Sequence, residues 1–195
     1  GTSRRQRQMC IRDRSRTIRA HWALIELNLS YKTEIIRTRT TDTETAAFKS
    51  VNPRQKIPVL QDGTLTMGES AAIVTYLAES YSTEQVNLIP DNPKARAKYF
   101  EWMSFICMEL DATSLYVLRR HWSLPEIYGD SPVANKASED YFNRMITAAD
   151  KLKNPKQKYL LETGFSGVDI LMTTTLKWAI DYNQKIPNDF MEYLD

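Results

Sequence analysis

Glu69 and Ser70 stand where a short extended run gives way to an apolar helical pattern ending at Tyr81, so a carboxylate and a hydroxyl share one helix start. Unpaired amides and the positive end of the helix dipole suit a ligand carboxylate there, with the Ser70 hydroxyl beside it, while Glu69 suits an ammonium. Together the two could hold a zwitterion. Upstream, Lys56 precedes Ile57-Pro58 at the entrance of an apolar strand. Only proline makes a cis peptide bond accessible, and a cis bond at Ile57-Pro58 would offer the Ile57 main chain to a peptide-like ligand. A capping serine or a strand-entry proline is common by itself. The whole run at this spacing reads as a binding edge feeding a helix N-terminus.

The elements around these residues follow from local patterns. Ser15 caps a predicted helix reaching Leu27, with Ile18, Trp22, Ile25 and Leu29 at helical spacing and Asn28 as its C-cap. Tyr31 to Ile36 reads as a strand, Arg37 to Thr45 as a polar stretch, and Thr45 to Ser50 as a short helix. The strand after Pro58 turns at Asp62-Gly63 into a second short strand, Leu65 to Met67. Helix, strand, helix, strand, strand, helix is the order of a thioredoxin-like α/β domain, residues 15–81, whose opening strand is missing or replaced. The proline-flanked segment 82–92 is a linker.

Residues 93–195 form an all-helical domain on the same reading. Apolar residues recur at helical spacing from Lys94 to about Trp122 and from Tyr141 to Leu152, with a loop from Leu124 to Pro132. Ser166-Gly167-Val168-Asp169 is a capping box whose role is folding, not chemistry.

The run V-N-P-R-Q-K-I-P-V-L-Q-D-G, followed by E-S-A-A-I and Y-L, resembles the glutathione-binding half of the glutathione S-transferase family, whose usual pattern is N-P-x-G-K-V-P-x-L, D-G, E-S-x-A-I. A second stretch agrees: Tyr159-Leu160-Leu161, Phe165 and the capping box resemble that family's Y-L-x-G-x-x-F-S-x-A-D-I signature. One departure is Gln55, where the family has a glycine suited to positive φ, so the loop before Lys56 is expected to differ locally.

The resemblance implies that Lys56, Ile57, Pro58, Glu69 and Ser70 bind glutathione as co-substrate. S-R-T-I-R, with Arg19 four residues after Ser15, is similar to the serine-type, bacterial-like branch, which makes Ser15 the candidate catalytic hydroxyl acting on the thiol. Along the first long helix of the second domain, Met103, Cys107 and Tyr116 are candidates to line a pocket for a small apolar electrophile. The implied protein is a cytoplasmic, homodimeric glutathione transferase. The alternatives are a non-catalytic interaction module of the same fold and a glutathione-dependent disulfide or peroxide reductase.

Composition narrows the classes further. With 42% hydrophobic and 26% charged residues in 195, the chain reads as an ordinary globular protein without a membrane span or secretory signal. The net charge of +2 is misleading, because residues 1–14 hold five arginines against Asp13, +4, and the remainder sums to −2. No basic stripe interleaved with aromatics points to nucleic acid. Cys10, Cys107, His21 and His121 lack metal-ligand spacing. Met9 to Arg14, back-translated, resembles a sequencing adapter, so residues 1–14 are read as a non-native tail. Asn188 to Asp195 reads as a helix still under way, and both ends are expected to be cut.

Overall fold

The computed structural model describes the backbone of residues 7–11 and 14–195, with side chains from Ser15 onward. Residues 1–6, 12 and 13 lie outside the described residues, and with them most of the expected tail. Two compact units divide at Ile89 and Pro90.

The first unit runs β1 (Arg7–Ile11), α1 (Arg14–Glu26), β2 (Lys32–Ile35), α2 (Thr41–Glu44), α3 (Ala46–Val51), β3 (Val59–Asp62), β4 (Leu65–Gly68) and α4 (Ser70–Tyr81). Its sheet has the order β2-β1-β3-β4. β1 lies parallel to β2, with Gln8 opposite Lys32, and antiparallel to β3, with Met9 opposite Leu60. Arg7–Ile11 thus occupies the opening-strand position that a thioredoxin-like order requires, because a central strand satisfies the backbone groups of both neighbours. β3 and β4 form the hairpin across the Asp62-Gly63 turn, and Gly63 takes φ 61 there.

α1 departs from its expected face. Ile18 and Ile25 are exposed, and the buried residues are Ala20, Ala23, Leu24 and Leu27. α1 packs on α4, whose buried side is Ile73, Val74, Leu77 and Ala78. Alanines at the contact let the two helices approach closely, so the small residues rather than the large ones mark the core side. α1 ends in a Schellman motif: Asn28 takes φ 51, with Asn28 N–H bonded to Ile25 C=O at 2.9 Å and Leu29 N–H to Leu24 C=O at 2.9 Å. α3 has Thr45 as its cap, the hydroxyl accepting from Phe48 N–H at 3.1 Å. The extra turn α2 lies in the stretch expected to be polar loop, where the Thr40 hydroxyl accepts from Asp42 N–H.

The hairpin is tied to α4 by Asp62, a buried carboxylate that accepts from the Tyr76 hydroxyl at 2.9 Å and from the Tyr81 hydroxyl. Burial, then the bond to this carboxylate, pushes the Tyr76 hydroxyl up to about 12.

The second unit is all helical, as expected. α5 (Pro93–Phe105) continues through a π-helical stretch, Ile106–Leu115, then α6 (Tyr116–Leu118) and a second π stretch, Arg119–Ser123. Apolar spacing cannot distinguish these from α-helix. α7 (Pro125–Tyr128) occupies part of the expected loop, and α8 (Pro132–Leu152) starts nine residues before Tyr141. Its early start has a local cause, since the Ser131 hydroxyl caps Ala134 N–H at 3.3 Å and Pro132 sits in the first turn. α9 (Gly167–Asp181) is buried nearly all round, and α10 (Asn188–Tyr193) follows.

The capping box forms at the head of α9. The Asp169 carboxylate accepts from Ser166 N–H at 2.8 Å and from the Ser166 hydroxyl at 2.9 Å, and also from Leu160 N–H and the Tyr193 hydroxyl, each at 2.9 Å. Burial raises the Asp169 carboxyl above its ordinary value despite these bonds, and burial beside this carboxylate raises the Tyr193 hydroxyl. Among the described residues no helix is long and apolar enough to cross a membrane.

Candidate functional site

Asn52 organises the loop between α3 and β3. Its side-chain amide donates to Lys56 C=O at 2.7 Å, and its side-chain oxygen accepts from Arg54 N–H at 3.2 Å. Gln55 N–H closes the turn onto Asn52 C=O at 2.9 Å. Gln55 takes φ 54, so the positive φ usual for glycine is kept by glutamine, and the expected local difference is one of side chain rather than of backbone. These bonds hold the turn in a conformation that glutamine would not favour by itself.

The loop delivers the chain to Ile57-Pro58, which is cis. Ile57 is buried by its side chain, in a cluster with Phe48 and Val59. Its main-chain N–H and C=O make no hydrogen bond to another described residue. Beyond the hairpin, Glu69 is the N-cap of α4, with φ 67 and ψ 112 and no side-chain cap bond. A non-glycine residue at positive φ is strained by roughly 1–3 kcal/mol, and such strain gathers at ligand sites. Ser70 is the first residue of α4 rather than its cap, and its hydroxyl accepts from the guanidinium of Arg19 at 3.3 Å; both residues are buried.

Lys56, Ile57, Pro58, Glu69 and Ser70 line one shallow cleft, together with Arg16, Asn52 and Arg54. Three cations against one carboxylate give the cleft a positive surplus, with unpaired amides of the α4 N-terminus on its edge. This arrangement can receive an acidic, peptide-like ligand carrying one ammonium group. Glu69 already holds a cation: Arg54 Nη1 lies 2.9 Å from Glu69 Oε1.

Ser15 is half-buried in the first turn of α1, one residue inside the helix start rather than at its cap; its neighbour Arg16 lines the cleft and Ser15 does not. Arg16, Asn52 and Arg54 were not singled out from sequence. The N-P-R pattern held the signal for the last two, since a short polar side chain before proline is a turn organiser.

Met103, Cys107 and Tyr116 lie half-buried along the first helical rod of the second unit, where Arg120 stacks over the Tyr116 ring at 4.8 Å. That unit has a cavity of ≈ 520 Å³, and its walls include Trp102 and Phe105 but none of those three residues. Among the described residues no group of three or more His, Cys, Asp or Glu could hold a metal ion.

An N-terminal α/β unit with a cis-proline cleft at the head of a buried helix, followed by an all-helical unit, is the architecture of the glutathione S-transferases. Residues 15–80 match the family model described as "Glutathione S-transferase, N-terminal domain", and the fold is the one that family has. The chain is 46% identical over 63 residues to glutathione S-transferase F14 of Arabidopsis thaliana, 32% of this chain and 25% of that protein. It is 29% identical over 103 residues to glutathione S-transferase theta-1 of Rattus norvegicus, 53% of this chain and 42% of that protein. The matches thus span less than half the length of either curated relative. Among solved structures, the theta class glutathione S-transferase of Xanthomonas axonopodis pv. citri with glutathione bound superposes with a TM-score of 0.78 at 22% identity, covering 97% of this chain and 91% of that one.

Proposed function

We propose that the cleft binds reduced glutathione and that the protein transfers it to small apolar electrophiles, as a serine-type, theta-like transferase. The observation that carries this reading is the lining of the cleft: Arg16, Arg54 and Lys56 against Glu69, beside the unbonded main chain of Ile57 and the start of α4. Glutathione offers two carboxylates, one ammonium and a peptide backbone, which that lining complements group for group.

Glu69 takes the γ-glutamyl ammonium, Ser70 and the α4 amides take a carboxylate, and the Ile57 main chain pairs with the cysteinyl residue. A free thiol ionises near 8.5, and each unit of depression is worth about 1.4 kcal/mol in favour of the thiolate. The Ser15 hydroxyl, in the first turn of α1, donates to the sulfur and the helix dipole assists. The thiol proton leaves to water; the thiolate then attacks the electrophilic carbon, a C–S bond forms, and the leaving group departs with its electron pair. The theta-1 relative supports the glutathione transferase reading. On this reading the protein acts as a cytoplasmic homodimer.

Retention on immobilised glutathione, with release by free glutathione, tests the binding. A protein that passes through unretained would overturn the reading.

A further inference from the structure

We infer that Arg120, seated on the rings of Tyr116 and Tyr128, is the specificity-determining residue of the second-substrate pocket and selects aromatic electrophiles that carry a carboxylate. This rests on the transferase reading, which assigns Tyr116 to that pocket.

The guanidinium has a defined seat. Its central carbon lies 4.8 Å from the centroid of the Tyr116 ring, on the helical rod, and 5.5 Å from that of the Tyr128 ring, on α7. A cation over an aromatic face is held there by the charge distribution of the ring. Both rings are themselves placed. Tyr116 N–H reaches Asp111 C=O, five positions back, where the π stretch closes. Cys107 and Tyr116 are nine positions apart, about two and a half turns of α-helix but only about two of the wider π ladder, so the π stretch brings Tyr116 round to the side that carries Cys107. Tyr128 is fixed from the end of α7, where Gly129 N–H bonds Pro125 C=O at 2.8 Å and Gly129 C=O accepts from His121 Nδ1–H at 2.8 Å. Gly129 takes φ 80 to make that return.

The seat leaves the charge of Arg120 unanswered. Among the described residues Arg120 makes no hydrogen bond and no ion pair, although Glu126 and Asp130 stand two positions to either side of Tyr128 in the chain. A guanidinium held by rings, with its N–H edges unengaged, presents a planar donor fork, the donor best matched to a carboxylate. One fork balances a monoanion. The two tyrosine rings beside it give an aromatic ligand a wall to lie along. An apolar ring with a carboxylate on it therefore fits this end of the pocket better than a purely apolar molecule does.

The test uses a chloro-dinitrobenzoate and its methyl ester, which share ring and chlorine and differ in charge, with glutathione as co-substrate. In Arg120→Gln the KM for the acid should rise about tenfold with kcat little changed, while the ester's constants should move by less than about twofold. Arg120→Lys, which keeps the charge and loses the fork, should fall between wild type and Arg120→Gln. Equilibrium dialysis of dinitrobenzoate, which has no chlorine to lose, should show the same weakening in Arg120→Gln without glutathione. Equal losses for acid and ester would make Arg120 a structural residue, and unchanged constants for the acid would make it a bystander; each overturns the inference and leaves the transferase reading intact. Wild-type protein that conjugates neither compound would overturn the transferase reading, and dinitrobenzoate binding that does not depend on Arg120 would overturn the inference separately.

Discussion

Arg19 and Ser70 are 51 positions apart and joined by one buried hydrogen bond of 3.3 Å, from the guanidinium to the serine hydroxyl. The bond links α1, which carries Ser15, to the first residue of α4, so the candidate thiol-activating and carboxylate-binding ends of the site share one support. The double-mutant cycle of Arg19→Met and Ser70→Ala, read by urea unfolding, should give a coupling of about 1–2 kcal/mol, as for a charge-assisted bond. Additivity within about 0.5 kcal/mol would show that the contact carries no energy.

Ser15→Ala should lower turnover with a generic aryl halide by about ten- to a hundredfold, the worth of roughly 1.5–3 kcal/mol for a hydrogen bond to a charged sulfur. The affinity for glutathione should stay nearly constant. Thiolate absorbance of the bound ligand, followed against pH, should move upward in the variant. An unchanged titration with unchanged turnover would leave Ser15 a residue of the helix start only.

Asp169→Ala should destabilise the protein by more than the roughly 1 kcal/mol of a lost cap. The substitution strands Leu160 N–H, Ser166 N–H and the Tyr193 hydroxyl, which all donate to this carboxylate, and each unsatisfied buried group costs about 1–3 kcal/mol. A total loss of about 3–5 kcal/mol in urea unfolding is the expected result, with Asp169→Asn milder. A loss near 1 kcal/mol would reduce the network to an ordinary cap.

His21 introduces a pH dependence with a definite sign. Burial lowers its ring below the ordinary 6.5, while Nδ1 bonds the Tyr31 hydroxyl at 2.9 Å. Below 6.5 the unfolded chain binds the proton more readily than the folded one, so this contribution is present above that pH and is lost as pH falls. The ring is half-buried, and solvent screening keeps the loss under about 1 kcal/mol. Thermal unfolding between pH 7.5 and 5 should show the drop in wild type and a flatter profile in His21→Gln; parallel profiles would remove His21 from the account.

The local features of this protein were legible in its sequence. The strand entrance at Ile57-Pro58, the Asp62-Gly63 turn, the start of α4 at Glu69-Ser70 and the capping box at Ser166 each rest on a few adjacent residues whose backbone preferences act over one turn or one strand. The family resemblance also implies one binding edge made of Lys56, Ile57, Pro58, Glu69 and Ser70, and these five line one cleft. Only the tertiary structure decided the rest. Which face of α1 is buried depended on how closely α4 could approach, and Ala20 and Ala23 settled that against the larger Ile18 and Ile25. The π stretches, from Ile106 and from Arg119, share the apolar spacing of an α-helix and were invisible to it. Arg54 reaching Glu69, and Arg19 reaching Ser70, are pairings across 15 and 51 residues, set by the packing of separate elements rather than by the period of any one of them.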